Sequence, residues 1–538
     1  MQGKKEYKPK MMYQVYLDDL VPQDNYYRLI EKELDLKFLY AATSPYYGID
    51  GQESIDPVVF FKICLVGYLN NINSDRKLIE FCNDSLAIRL FLKYDIDEPL
   101  PWHSTISRTR QLYGEEVFLL LFRKVLSMCV KKGMVRGKRQ AIDSALIKAN
   151  ASMDSLIEKE VIADAAIYAE ELNNNSEFKV SESKKKEVER HHEWKTRNWD
   201  NPGDSYKEGK EGDGGDFIQS KFLSNHTHYS TTDPDARIST KPGKARNLNY
   251  LGQISVDNAN HVITGATADF ADKRDSQCLE KICEQVKKSF KQNNLKIRQV
   301  ATDTGYSSGE ALKYCAENNI DAYIPNFGRY KPEREGFVYN KELDQYECQR
   351  GNKAILPLKN AKSKNGDHFV KRYSSSIKDC ENCPFLEQCC GKSTKYKKLD
   401  DSIHKKYYDH MHKKLTDNKE YAKRLFRSRS STVEPVLGTL INYLNMKRVN
   451  TRGIEQAEKH VLMAALVYNL KKYLKWVNKN YASNSIALPK KRVMVKKYKA
   501  VLCNFILLLL IYQNNYRIYL ENQYFTLLMQ MKQKFFKK

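Results

Sequence analysis

Apolar positions recur at three- and four-residue spacing through most of the first 135 residues, the rhythm of helices that bury one stripe. Asp56-Pro57 is a good helix opening, followed by Val58, Val59, Phe60, Phe61, Ile63, Cys64 and Leu65. Ser74-Asp75 caps a next helix containing Leu78, Ile79 and Phe81, and PWHSTISRTRQLYG starts another, with Ser104 or Thr105 as cap and Arg108 and Arg110 on its polar side. The rhythm changes at RQAIDSALI, Arg139 to Ile147, which reads as a strand. Residues 170–216 carry few apolar positions and read as a loop or disordered insertion. Order resumes with Leu251 to Val256 and His261 to Ala266, which flank the turn Asp257-Asn258-Ala259-Asn260 as a hairpin. Ile297 to Ala301 is a short strand ending at Asp303, and Gly305 supplies a turn. Ser307 and Glu310 have the form of a capping box, and Ile320 to Ile324 is a second strand. The whole piece is a β-α-β unit with parallel strands.

These patterns divide the chain into a helical region over 1–135, a mixed α/β core over 136–330 containing the 170–216 insertion, a cysteine-bearing insertion over 331–400, helices completing the core over 401–478 and a basic tail over 479–538. Charge narrows the choice of partner. Ninety Lys and Arg stand against 66 Asp and Glu, a formal +24, which favours a polyanion, either nucleic acid or an anionic membrane surface. The longest apolar run, Ala500 to Tyr512, is interrupted by Asn504 and too short to span a bilayer. The first twenty residues have charges but no apolar signal core, so a soluble, cytoplasmic protein is expected.

Most of the twelve cysteines stand singly among apolar residues, as reduced core positions do. One region clusters them: Cys380, Cys383, Cys389 and Cys390, with Cys348 upstream and His368 between. Cys348, Cys380, Cys383 and Cys389 suit either a structural zinc or a plain reduced cluster.

Three acids stand out by position. Asp303 sits at the carboxyl end of a parallel strand, the edge where open α/β sheets place ligands, although a lone Asp-x-Gly is more often a turn-former. Asp143 lies inside a strand pattern, flanked by Ile142, Ala145 and Leu146, where an unpaired buried charge would be costly; an exposed edge position is the plainer reading. Glu434 falls on the border of an apolar stripe made by Val433, Val436, Leu437, Leu440, Ile441 and Leu444, with Gly438 one turn on. Around it Arg427, Arg429, Lys447 and Arg448 could pair with it or contact DNA. An acid on a first strand, a hairpin, a second acid after a later parallel strand and a third on a final helix is the order of an RNase H-like core. There, three carboxylates hold two magnesium ions about 4 Å apart.

The text PWHSTISRTR, AIDSALIKANAS, STTDPDARISTKPGKARNLNYLGQISVD, ATDTGYSSGE, CENCPFLEQC and STVEPVLGTLINY, in that order, resembles the DDE transposases of bacterial insertion sequences, within the branch numbered eleven-eighty-two. The resemblance covers most of residues 40–475. It implies an RNase H-like mixed sheet flanked by helices, with an all-helical amino-terminal DNA-binding domain. Asp143, Asp303 and Glu434 become the catalytic triad, holding magnesium or manganese. Double-stranded DNA becomes the substrate, as terminal inverted repeats and as target, bound by a homodimer. The implied reaction is hydrolysis at the element ends followed by attack of the freed 3′ hydroxyl on target DNA. One departure is visible. Families of this kind carry a tyrosine and an arginine before the third acid and a basic residue seven positions after it; here these are Phe426, Arg429 and Ile441. A catalytically inactive DNA-binding descendant and a zinc-containing adaptor without nuclease chemistry are the competing readings.

Overall fold

The computed structural model describes residues 16–48, 54–158, 224–225, 228–239, 246–326, 330, 332–351, 353–362, 369–391 and 394–477. The expected insertion at 170–216, the tail at 479–538 with its apolar run, and His368 lie outside the described residues.

The amino-terminal region is helical: α1 (Tyr26–Glu33), α2 (Phe38–Thr43), α3 (Pro57–Leu69), α4 (Asp75–Asn83), α5 (Leu86–Leu92), α6 (His103–Leu112) and α7 (Glu115–Lys131). Two openings follow the sequence grammar. The Asp56 carboxylate accepts the Val58 and Val59 N–H groups at the head of α3, and Ser74 accepts Lys77 N–H at the head of α4. The third does not. Trp102 flanks α6 without a side-chain cap, and Ser104 and Thr105 already lie inside the helix because the chain turns at Pro101-Trp102. Phe60, Phe61, Tyr113 and Phe118 fill the centre, with Phe61 stacked on Tyr113 at 6.0 Å and edge-on to Phe118 at 5.1 Å.

The core sheet has six strands: β1 (Arg139–Lys148), β2 (Arg237–Ser239), β3 (Asn247–Asp257), β4 (Ile263–Phe270), β5 (Gln299–Ala301) and β6 (Asp321–Tyr323). They run β2-β3-β1-β5-β6, with β4 also paired to β3. β1 is antiparallel to β3 and β3 to β4, whereas β1, β5 and β6 are parallel. Helix α8 (Asp275–Lys291) links β4 to β5, and α9 (Gly309–Glu317) links β5 to β6. This is the RNase H-like arrangement expected: a hairpin-built antiparallel half joined through the first strand to a parallel half.

Beyond β6 comes a second sheet, β7 (Phe337–Asn340), β8 (Gln345–Cys348), β9 (Ile355–Lys362), β10 (Phe369–Ser374) and β11 (Lys398–Ser402), antiparallel throughout. Tyr346, Leu356 and Tyr373 form its small core. The chain then returns as α10 (Lys405–Asp417), α11 (Lys419–Tyr443) and α12 (Ile454–Val477). Helix α12 is buried nearly all round, as a helix threaded between layers must be. It carries Tyr68 of the helical region on His460 (2.7 Å) and the Ile263 backbone of the sheet on Asn469 (2.8 and 2.7 Å).

Candidate active site

Register brings the first two acids together. Arg139 stands opposite Gln299 and Ala141 opposite Ala301 in the parallel pair, so Asp143, still inside β1, and Asp303, just past the end of β5, are each two residues on from a paired position. After β5 the chain makes one 3-10 turn, Thr304–Tyr306, capped by Asp303, whose carboxylate accepts Gly305 N–H at 3.0 Å. That turn shifts the next helix by one residue. Ser308, not Ser307, caps α9 by accepting Ala311 N–H, and Glu310 pairs with His404 at 2.7 Å instead of closing a capping box.

Gly305 is needed for space, because its φ is not in the left-handed region. A Cβ there would lie 2.9 Å from the Asp275 carboxylate and 3.1 Å from that of Asp303. Asp275, the first residue of α8, is thus a further acid beside the site that sequence reading passed over. In the sequence it resembles any acid placed to favour a helix dipole. Its partner is Gln253 of β3, fully buried, which donates to Asp275 at 3.3 Å and accepts the Tyr306 hydroxyl. Burial, and then the charges of Asp275, Asp143 and Asp303, hold the Tyr306 hydroxyl well above its ordinary pKa and therefore protonated.

Burial likewise raises the Asp143 carboxyl; the Ser144 N–H and Arg429 pull it down, and neighbouring Asp303 adds to the rise. One Asp143 oxygen accepts Ser144 N–H at 2.9 Å and the other accepts Arg429 at 3.0 Å. Arg429 belongs to α11, which packs on β1, and its other terminal nitrogen lies 3.5 Å from Glu434. The third acid is much the most exposed: its side chain is 59% accessible against 10% for Arg429 and 16% for Asp143. Pro435 follows it inside the helix, and nothing stands within 4 Å of a Cβ built on Gly438. An open hollow of about 580 Å³, lined by Phe426, Arg427, Ser430, Ser431, Glu434 and Pro435, extends along this face.

The donors are all hard carboxylate oxygens, the chemistry that magnesium and manganese prefer. As they stand, no three acidic, histidine or cysteine side chains among the described residues form a ready metal-holding group, and Glu434 is engaged by Arg429. The thiols fit zinc less well. Cys348, Cys380, Cys383, Cys389 and Cys390 line one cavity of about 350 Å³, but Cys348 bonds the Arg350 carbonyl at 2.8 Å and Cys380 contacts Ser375 at 3.0 Å. Tetrahedral zinc needs converging thiolates, and these are not converged, so the structure does not support the zinc expectation.

The basic residues separate into two kinds. Arg108 and Arg427 are exposed, as are Lys447 and Arg448, whose segment is tied to the end of β1 by Lys148 N–H on the Lys447 carbonyl at 3.1 Å. The Arg448 guanidinium reaches Asn150 at 3.0 Å. Arg110 is not on the polar side. It turns inward onto Asp75 with two hydrogen bonds of 2.9 and 2.8 Å, which removes it from any DNA surface.

Sheet order is that of an RNase H-like mixed α/β domain, with Asp143 on one of two neighbouring parallel strands and Asp303 just past the end of the other. Residues 15–112 match the family described as Transposase domain (DUF772), and residues 347–474 match the family described as Transposase DDE domain. No curated protein matches the chain. These two matches, which leave more than half of the chain uncovered, support a DDE transposase of an insertion sequence, an enzyme that cuts DNA and transfers strands. Glu434 falls within the second match; Asp143 and Asp303 lie between the two. Among the described residues no helix is long and apolar enough to cross a membrane.

Proposed function

We propose that the chain binds the terminal inverted repeats of its own element, cuts at their ends and joins the freed 3′ hydroxyls to target DNA. The carrying observation is the parallel register that sets Asp143 and Asp303 each two residues on from a paired position, while Arg429 ties Asp143 to Glu434. These three carboxylates would hold magnesium or manganese, which supplies an activated water or hydroxyl and neutralises the leaving oxygen. The protein's own part is positional. Asp303 is fixed by Gly305 N–H, Asp143 by Ser144 N–H, and Tyr306 by Gln253. The exposed side chains of Arg108, Arg427, Lys447 and Arg448 serve the DNA backbone. A homodimer on the DNA follows from the need to hold two ends at once.

The inactive-descendant reading keeps one observation, the half-buried Ile441 where the family carries a basic residue. A strand-transfer assay with magnesium, on duplexes carrying the element's own ends, decides. Wild type should nick and join, and Asp303→Asn should do neither. Equal activity of the two proteins would end the enzymatic reading.

A further inference from the structure

Arg429 holds a place that a metal-dependent site would be expected to give to a metal. Its guanidinium touches the first acid at 3.0 Å and approaches the third at 3.5 Å, and its own side chain is nearly buried between them. Asp143 and Asp303 lie on and just past neighbouring parallel strands, two carboxylates in a half-buried setting. Helix α11 is held on the sheet by its buried apolar face and by the Ser428 and Thr432 hydroxyls donating to Asn258; between the acids themselves, Arg429 makes the one ion pair that Glu434 has among the described residues. The same N–H groups occupy lone pairs that metal coordination would use. One guanidinium thus does two things. It bridges the carboxylates, and it competes for them.

We infer that Arg429 is the resident counter-ion of the carboxylate site, a positioning residue that divalent metal exchanges out and that is then free to take a phosphate of the bound strand. This rests on the assignment of Asp143, Asp303 and Glu434 as the metal-holding triad. The geometry favours exchange over simple addition. Arg429 is the fifth residue before Glu434 on the same helix, so it can swing from the acids to the open hollow beside Arg427 and Glu434 without moving the helix. DNA and metal then help each other, because a phosphate that captures Arg429 uncovers the acids, and reciprocity requires the converse.

The test uses the full-length protein and manganese as probe, with binding read by electron paramagnetic resonance of the free ion, so no catalysis is involved. Arg429→Gln should bind manganese roughly tenfold or more tighter than wild type without DNA, the scale of removing a unit charge a few ångströms away. Arg429→Lys should fall between. Adding a duplex of the element's end should tighten manganese binding to wild type and leave Arg429→Gln unchanged. Equal or weaker binding by Arg429→Gln, in a protein whose thermal melting is native-like, overturns the inference. So does equal DNA enhancement in both proteins. Asp303→Asn separates this from the underlying assignment: if it binds manganese as wild type does, the triad itself is wrong.

Discussion

Replacing Arg110 by alanine separates structure from DNA contact. The guanidinium makes a bidentate pair with Asp75, the side chains being 12% and 17% exposed, and its own backbone carbonyl accepts Lys459 of α12. Removing one partner of a buried pair leaves an uncompensated charge and costs about 3–5 kcal/mol. Because a little water reaches both groups, the lower end applies, about 3 kcal/mol. The loss belongs to the helical region, so it should appear as an earlier denaturant midpoint for Arg110→Ala. Asp75→Ala in the same chain should recover part of the loss, since no orphan carboxylate remains. Arg108→Ala, exposed on the same helix, should leave the midpoint within about 0.5 kcal/mol of wild type and lower the salt dependence of DNA binding by roughly one unit of log–log slope. If Arg110→Ala instead kept the wild-type midpoint and weakened DNA binding, the inward reading of this arginine would be refuted.

Three further outcomes follow from the structure. Burial, with Arg110 nearby, holds His460 down at about 3, below its ordinary 6.5, so the folded protein stays neutral there while the unfolded chain takes a proton. Stability is therefore present above pH 6.5 and lost as pH falls. Wild type should lose about 2 kcal/mol between pH 7 and 5 that His460→Asn does not lose, measured by denaturation at each pH. Gly438→Ala should stabilise by about 0.5–1 kcal/mol, because the helix interior has open space at that Cβ; an unchanged melting temperature would contradict this. Gln253→Leu strands the Tyr306 hydroxyl and the Asp275 carboxylate. It should cost about 2 kcal/mol and lower kcat more than KM, since the turn carrying Asp303 loses its anchor.

Much of the fold is legible because it is local. The hairpin of β3 and β4, the β-α-β unit of β5, α9 and β6, and the openings of α3 and α4 are each written within about thirty residues, in alternation, turn chemistry and caps. What escaped depends on orientation or on distant partners. Arg108 and Arg110 were set on one polar side, yet residues two apart lie about 200° apart around a helix, so only one of them could face solvent there. Ser307 and Ser308 are adjacent, and the 3-10 turn that chooses between them is set by Asp303 capping. Cys348, Cys380, Cys383, Cys389 and Cys390 line one cavity, and among the described residues they form no group of three placed to hold a metal. Asp275 gives no signal at all. Its place beside Asp303 exists only once β4 has delivered α8 to the sheet's edge.

The candidate acids could be named from the sequence, but not how they are held. Sequence order could nominate Asp143, Asp303 and Glu434, and parallel pairing supplies the reason two of them meet: a one-residue slip of β5 against β1 would turn one carboxylate to the opposite face. The third acid comes from a helix separated from the first by almost three hundred residues of chain, so no strand ladder fixes it. Its helix is held on the sheet by buried apolar residues and by Ser428 and Thr432 donating to Asn258, while among the described residues Arg429 alone bridges it to Asp143 and the Glu434 side chain stays largely exposed. The site thus has one half set by backbone pairing and one set by helix packing, with the Arg429 ion pair running between them. On the inference drawn for Arg429, this ion pair is the part of the site that responds to DNA, and its exchange sets when the site becomes competent.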